Sequence, residues 1–184
     1  MQNLDRSLLY LINTLGSTQW LNVFFPAITD LHKSPYFAVV AIPLFLGLFL
    51  WHHKKKGLWL FLGLILCLGL TDFSGAQIKK TVGRLRPGDA AGVEVTVRSP
   101  YGGFSFPSNH ASNLYALATY SSFFVPQLYW PTFVIASLIA YSRVYNGVHY
   151  PSDVLFGAFF GILMGYLSCL AMNRFFRWKD GRWY

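Results

Sequence analysis

The sequence predicts an all-α fold: a polytopic membrane bundle of about five transmembrane helices, or six if an N-terminal helix also crosses, preceded by interfacial amphipathic helices. Three observations lead to this prediction. First, 54% of the 184 residues are hydrophobic and only 12% are charged, which is too apolar for an ordinary soluble domain. Second, five apolar segments approach the length that spans a bilayer. Third, basic residues collect in connections that five spans place on one side.

The five apolar segments cover residues 36–51, 57–78, 110–125, 128–145 and 152–173. Residues 4–31 are more mixed, and their stretches LDRSLLYLINTL and TQWLNVFFPAITDL each place apolar residues largely on one helical face. We therefore expect two short helices at the membrane interface, the second of which could become a sixth span. The chain then forms one domain over residues 1–184, divided into interfacial helices (1–33), a transmembrane core (34–176) and a tail (177–184).

Small residues mark a packing surface on the last segment. Gly157, Gly161 and Gly165 recur every four residues and therefore share one helical face, where they would let another helix approach closely. The two cysteines, Cys67 and Cys169, lie inside apolar segments without metal-type or redox-type spacing, so we expect both to be buried.

Basic residues set the expected orientation. The connection between the first two segments contains Lys54, Lys55 and Lys56, and the end of the chain is also basic. With five spans both lie on the same side, which the positive-inside rule makes cytoplasmic, so the 79–109 loop and the YNGVHYPSD loop face the other side. The net charge of +8 suits anionic lipid or phosphate, and the apolar bulk argues against nucleic acid as a partner.

A first polar cluster lies where the second segment ends, in the stretch GLTDFSGAQIKKTVGRLRPG. Lys79, Lys80, Arg84 and Arg86 occur there within eight residues, either as a solvated loop against lipid head groups or as an anion site. Asp72 falls inside the apolar segment itself, where a carboxylate is costly and usually faces a partner or a cavity. We expect its partner to be a cation in the bundle interior.

Two further clusters follow. The third segment begins with FSFPSNHASN, in which Ser108 and Asn109 stand at a helix start that favours an anion, with His110 in the same turn. The stretch YSRVYNGVHYPSD then brings Arg143, His149 and Asp153 together between the last two segments. Asp153 follows His149 by four residues, so its carboxylate can reach a ring nitrogen and orient the imidazole.

All three clusters lie on the same side of the membrane in this topology. Several cations and a helix N-terminus form a phosphate cradle, and two histidines, one backed by a carboxylate, supply a nucleophile and a proton donor. The set fits phosphoryl transfer to an enzyme side chain and then to water. A zinc site at His110, His149 and Asp153 is the rival hypothesis, but the surrounding positive charge would repel a divalent cation.

The three stretches together resemble the signature of the type 2 phosphatidic acid phosphatase family, membrane lipid phosphatases whose core fold is shared with vanadium haloperoxidases. Its first part is Lys79, six residues, then Arg86 and Pro87; its second is PSNH at 107–110. The third part is Ser142 and Arg143, five residues, His149, three residues and Asp153. The match covers about residues 70–160, with one departure, since Asn109 stands where the family usually has glycine.

The resemblance implies a role for each matched residue. His149 would attack phosphorus and become phosphorylated, Asp153 would hold its other ring nitrogen, and His110 would protonate the leaving lipid oxygen and later activate water. The phosphate would be held by five residues, the last through its backbone N–H: Lys79, Arg86, Arg143, Ser108 and Asn109. The resemblance implies no metal and no cofactor.

The leading hypothesis is therefore a metal-independent lipid phosphatase of the bacterial inner (cytoplasmic) membrane, with its active site facing the periplasm or the cell exterior. Its candidate substrates are undecaprenyl diphosphate, the 1-phosphate of lipid A, phosphatidylglycerol phosphate and phosphatidic acid. A non-catalytic protein that binds or moves anionic lipids is the alternative, although it leaves the His149 and Asp153 pair without a purpose. A haloperoxidase-like vanadate enzyme is disfavoured, since that chemistry needs no membrane spans.

Overall fold

The computed structural model describes residues 2–30 and 35–179. Seven α-helices occur in these ranges: α1 (Gln2–Tyr10), α2 (Gln19–Thr29), α3 (Pro35–His53), α4 (Lys55–Val82), α5 (Asn109–Phe124), α6 (Tyr129–Tyr145) and α7 (Pro151–Lys179). A π-helical turn, Leu11–Leu15, follows α1, and short 3-10 turns occur at Pro87–Asp89 and Pro126–Leu128. No β-strand occurs in the two described ranges, and the predicted all-α fold is confirmed.

Each of the five apolar segments forms a helix, and α4 and α7 extend well beyond the predicted bounds. By length and apolarity, α4 and α7 are the two helices of the described chain that could each cross a membrane. The shorter α3, α5 and α6 do not settle the number of spans, so the count of five stays a prediction. The predicted tail at 177–184 lies mostly outside the described residues.

Local signals explain the helix ends that border the polar loops. Helix α4 ends at Gly83, whose φ of 63° lies in the left-handed region that glycine adopts without steric cost, and its N–H bonds to the Lys79 carbonyl. Helix α7 begins at Pro151, a residue that suits the first helical position because it lacks an N–H. Asp153 then reaches back to the Tyr150 N–H at 2.9 Å, as in a capping box.

Helix α5 forms the centre of the bundle, packed most extensively against α7 and also against α6 and α4. The three glycines of α7 make this contact possible. A methyl group on Gly157 would lie 2.7 Å from the carbonyl oxygen of Ser108, the residue before α5, and one on Gly165 would lie 2.8 Å from that of Ala116 in α5. A methyl group on Gly161 would overlap the Ser112 carbonyl of α5. The predicted packing role of these glycines is confirmed.

The N-terminal helices pack on the same bundle, α1 against α7 and α2 against α6. Leu9 of α1 is buried with Ala140, Val144 and Val154 in an apolar cluster at the end of the bundle that carries the polar loops. A second cluster, which includes Phe49, Leu60 and Tyr120, fills the other end. Both cysteines are buried, as predicted. The interfacial position of α1 and α2 stays a prediction.

The packing of α5 on α7 predicts that Gly161→Ala destabilises the protein. The added methyl group meets backbone, which no rotamer change can relieve, so we expect a loss of about 1–3 kcal/mol. Because Cys67 and Cys169 are buried, a thiol-reactive dye can follow thermal unfolding in detergent.

Gly69→Ala on α4 is the matched control, since its methyl group would meet nothing within 4 Å. An unfolding temperature of Gly161→Ala equal to that of Gly69→Ala would contradict the close packing of the two helices.

Candidate active site

The three polar stretches meet at one cavity of about 360 Å³. It lies where α4 ends, α5 begins, α6 ends and α7 begins, at the end of the bundle opposite the Lys54–Lys56 connection. Nine residues line it: Lys79, Arg86, Pro100, Tyr101, Gly102, Asn109, His110, Arg143 and His149. Six of the eight residues predicted for the site are in this lining, and the other two, Ser108 and Asp153, lie buried beside it.

Arg86 is held by the loop that covers the cavity and by the connection before α7. Its Nε and Nη2 donate to the carbonyls of Gly103 and Gly102, both at 2.9 Å, and its Nη1 donates to the Val148 carbonyl at 2.8 Å. The same Nη1 lies 3.2 Å from His149 Nε2. A guanidinium can only donate, so Nε2 accepts this hydrogen bond and the ring proton resides on Nδ1.

His149 is almost fully buried, and its Nδ1 lies 3.5 Å from Asp153 Oδ2 and 3.5 Å from Ser105 Oγ. Burial lowers the pKa of His149 to about 3, because desolvation disfavours the charged imidazolium; the neighbouring Asp153 carboxylate opposes this shift. His149 is therefore neutral at physiological pH, with the lone pair of Nε2 on the side of Arg86. A neutral imidazole in this tautomer is the form that can act as a nucleophile.

The Asp153 carboxylate is fully buried and accepts hydrogen bonds from three separate parts of the chain. Ser105 Oγ donates to Oδ2 at 2.5 Å, the Tyr150 N–H donates to Oδ2 at 2.9 Å, and Arg84 Nη1 donates to Oδ1 at 2.6 Å. These donors stabilise the ionised carboxylate and orient it toward His149.

The cluster around Asp153 also contains Arg84, Ser105 and Asp5 of α1, to which the sequence analysis assigned no place in the site. Arg84 Nη2 donates to Asp5 Oδ2 at 2.5 Å, and the Arg84 guanidinium stacks on the Tyr150 ring at 3.9 Å. Asp5 also accepts from the backbone N–H and the hydroxyl of Ser152 at 2.9 and 2.5 Å, so it caps the start of α7. Asp5 is 79 positions from Arg84 and offered no local signal.

The remaining cations approach the cavity from two other helices. Lys79 Nζ, in the last turn of α4, donates to the carbonyls of Phe104, Ser105 and Pro107 at 3.0, 3.3 and 2.6 Å, and so it orders the segment before α5. Arg143 is buried at the end of α6, where its Nη1 donates to Thr29 Oγ1 at 2.9 Å. Its Nε has no hydrogen-bond partner among the described residues.

The start of α5 contributes three predicted residues. Ser108 is fully buried, its N–H donates to the Asp153 carbonyl at 3.1 Å, and its Oγ has no partner within the described part of the chain. His110, the second residue of α5, lines the cavity beside His149. Asn109 lines the cavity as well, and its Nδ2 donates to Asp72 Oδ1 at 2.9 Å.

The prediction of a cationic partner for Asp72 was wrong. Its hydrogen-bond donors are two side-chain amides of α5, those of Asn109 and Asn113, the latter at 3.1 Å. A primary amide satisfies a carboxylate without adding a second charge to the bundle, and Lys79, Arg86 and Arg143 line the cavity instead of pairing with Asp72.

The donor set gives little support to the rival zinc hypothesis. Across residues 2–30 and 35–179, no three His, Cys, Asp or Glu side chains converge in a metal-binding arrangement. Three cations line the same cavity as His110 and His149, and Asp153 is engaged by Arg84. A cavity with this charge suits an anion rather than a divalent cation.

Known proteins resemble this chain in sequence and in fold. The family model of the PAP2 superfamily matches residues 56–177. The chain is 27% identical to a lipid A 4'-phosphatase of Bacteroides thetaiotaomicron over 91% of this chain and 76% of that protein. It also resembles the crystal structure of a transmembrane PAP2-type phosphatidylglycerolphosphate phosphatase from Bacillus subtilis, with a TM-score of 0.71 and 27% identity over 91% of this chain and 83% of that one.

The crystal structure of Aquifex aeolicus LpxE is similar as well, with a TM-score of 0.70 and 29% identity over 88% of this chain and 92% of that one. The family match covers the three motifs and four of the five helices predicted to span the membrane, α4 to α7. The chain belongs to the PAP2 superfamily, the type 2 phosphatidic acid phosphatases whose three-part signature its sequence resembles.

Proposed function

We propose that this protein is a membrane lipid phosphatase that hydrolyses the terminal phosphate of a lipid monophosphate or diphosphate through a phosphohistidine intermediate, without a metal. One observation carries this proposal: the buried His149, with Nδ1 beside the Asp153 carboxylate and Nε2 beside Arg86, lines a cavity that three cations also line. Membership of the PAP2 superfamily supports the reaction class.

In the first step, His149 Nε2 attacks phosphorus and the bond from phosphorus to the lipid oxygen breaks. His110, which lines the same cavity, gives a proton to the departing oxygen. The attack places positive charge on the His149 ring, and Asp153 stabilises it through Nδ1. In the second step, His110 takes a proton from water, which attacks the phosphohistidine, and inorganic phosphate and free His149 are released.

The charges of the cavity suit the transition state of both steps. Lys79, Arg86 and Arg143 offset the negative charge of the equatorial phosphate oxygens, where electrostatic stabilisation is usually the largest contribution to catalysis. The Ser108 hydroxyl and the Asn109 N–H at the start of α5 supply further donors. Arg143 Nε and Ser108 Oγ have no hydrogen-bond partner among the described residues, so each can donate a hydrogen bond to phosphate.

We also propose that the whole chain acts as one domain in the bacterial inner membrane, with the cavity facing the periplasm or the cell exterior. The positive-inside rule supports this orientation, because Lys54–Lys56 lie at the other end of the bundle. The cavity then meets the lipid head group at the membrane boundary while the lipid chains stay in the bilayer. Undecaprenyl diphosphate, lipid A phosphate, phosphatidylglycerol phosphate and phosphatidic acid are the candidate substrates.

The proposed nucleophile predicts that His149→Ala lowers phosphate release by roughly a thousandfold or more, because no other group can form the intermediate. Asp153→Asn lowers it strongly as well, since the ring then loses its charged partner.

Phosphate release from lipid phosphates in detergent measures both effects. Brief reaction with ³²P-labelled lipid followed by alkaline gel electrophoresis tests for an acid-labile phosphoenzyme. His52→Ala, an exposed histidine at the far end of α3, is the control. Full activity of a folded His149→Ala protein would exclude this mechanism.

The absence of a metal from the mechanism predicts that EDTA at millimolar concentration leaves the rate of phosphate release unchanged. The rate is measured on the purified protein before and after dialysis against the chelator. Loss of activity that added zinc restores would support the metal site instead.

Arg84 and Asp5 are positioning residues in this proposal, because Arg84 holds Asp153 and Asp5 holds Arg84. Neither lines the phosphate cavity. Arg84→Gln should therefore lower kcat by roughly 10- to 100-fold with little change in KM. Asp5→Asn should have the same effect to a smaller extent, and Arg84→Lys should restore part of the rate.

The exposed Arg6 of α1 is the matched control, since Arg6→Gln removes a positive charge from the same region without touching Asp153. A rise in KM with unchanged kcat in Arg84→Gln would instead place Arg84 in substrate binding.

A further inference from the structure

The proposed chemistry assigns no role to Asp72 of α4, whose side chain is exposed. It lies inside α4, directly after the apolar part of the helix that runs from Leu58 to Thr71. A carboxylate at such a position is costly in a membrane and usually marks a partner, a cavity or a substrate path. Its two amide partners come from α5 alone, so Asp72 is not part of the cluster that holds Asp153.

The contact between Asp72 and α5 has a defined geometry, set by two amide donors on α5 and by a glycine on α4. Asn109 and Asn113 lie one turn apart on α5, and both amides donate to the same oxygen, Oδ1. Both hydrogen bonds that Asp72 accepts from residues 2–30 and 35–179 are made by Oδ1, so Oδ2 can accept another. Gly75 makes room for the contact, since a methyl group there would lie 3.0 Å from Asn109 Oδ1. Helix α4 therefore has a recess where the Asn109 side chain enters.

This contact adjoins the phosphate cavity. Asn109 lines the cavity and bonds to Asp72, so one side chain joins the two. Lys79 follows Asp72 by seven residues, close to two helical turns, so both lie on the same face of α4, about 10 Å apart along the axis. The contact between α4 and α5 therefore has a positive charge, Lys79, at the cavity and a negative charge, Asp72, about two helical turns closer to the start of α4.

A substrate of matching chemistry has a phosphate at one end and hydrogen-bond donors beside it. Hydroxyl or amide N–H groups close to the phosphate can donate to Asp72 Oδ2 while the phosphate occupies the cationic end. A second phosphate in the same place brings negative charge toward Asp72 and is repelled. Repulsion of a wrong substrate contributes to specificity as much as attraction of the right one.

We propose that Asp72, held by Asn109 and Asn113, is a specificity-determining subsite. It favours lipid phosphates that carry hydroxyl or amide N–H donors next to the phosphate, as phosphorylated acylated amino sugars do, over lipid diphosphates and over phosphates without such donors. Asp72 can act in this way only if the chemistry takes place at His149, so the inference rests on the proposed function.

The test compares kcat/KM for phosphate release in detergent across four substrates: monophosphorylated lipid A, phosphatidylglycerol phosphate, phosphatidic acid and undecaprenyl diphosphate. The wild-type protein should prefer a substrate with donors, and the first two substrates distinguish sugar donors from a glycerol hydroxyl. In Asp72→Asn, which keeps the size of the side chain, the ratio of kcat/KM for the preferred substrate to that for phosphatidic acid should fall roughly tenfold. The corresponding ratio to undecaprenyl diphosphate should fall further, because the repulsion is also lost.

Two further variants separate a substrate contact from a general loss of structure. Asn113→Ala leaves the phosphate cavity intact and removes one of the two amides that hold Asp72, so it should shift the same ratios in the same direction but less. Glu94→Gln removes an exposed carboxylate from the 79–109 loop and should leave all ratios unchanged.

An equal decrease for all four substrates in Asp72→Asn, or a wild-type preference for the diphosphate, would overturn the subsite. No phosphate release from any lipid by the wild-type protein would instead overturn the proposed function.

Discussion

The buried carboxylate of Asp153 is the group on which the rest of the site depends. Three parts of the chain contact it directly: the connection before α7 through Tyr150 and His149, the loop before α5 through Ser105, and the segment after α4 through Arg84. Arg84 in turn binds Asp5, which adds α1 to the same cluster. A carboxylate without contact to water is stable only if it is paired and hydrogen-bonded. Removing one partner of such a buried charge typically costs about 3–5 kcal/mol, so these elements are held in a single arrangement.

This arrangement also explains why a membrane protein can concentrate charge at one end of its bundle. The helices supply apolar surfaces along their length, while Lys79, Arg86 and Arg143 are held at the boundary by carbonyls, by the Thr29 hydroxyl and by the backbone of the covering loop. Backbone carbonyls thus compensate Lys79 and Arg86, while Arg143 has the Thr29 hydroxyl and, at 3.8 Å, the Asp30 carboxylate, which does not line the cavity. No carboxylate is among the described residues that line the cavity, so its three cations give it a positive potential that suits an anionic head group.

Close packing of α5 on α7 positions the residues at the start of these two helices, beside the cavity. The glycines of α7 bring its backbone against α5, so the first turn of α5, with Ser108 to His110, is held directly beside the first turn of α7, with Asp153. The hydrogen bond from the Ser108 N–H to the Asp153 carbonyl joins the two helix starts. A bulkier interface would separate the proposed general acid from the proposed nucleophile, so helix packing and catalysis are linked by the same pair of helices.

The helical class, the approximate position of every long helix and the three motifs that line the cavity could be predicted from the sequence, because apolar periodicity and fixed motif spacings are local properties of the chain. The packing of α7 through its glycines could be predicted as well. The partners of the charged groups, in contrast, depend on the tertiary structure. Asp5 and Arg84 are far apart in sequence, Ser105 lies outside the motif that follows it, and Asp72 binds amides where a cation was expected. The partner of a charge depends on which helices become neighbours, and hydrophobic pattern constrains that choice only weakly since many arrangements of apolar helices bury similar surfaces.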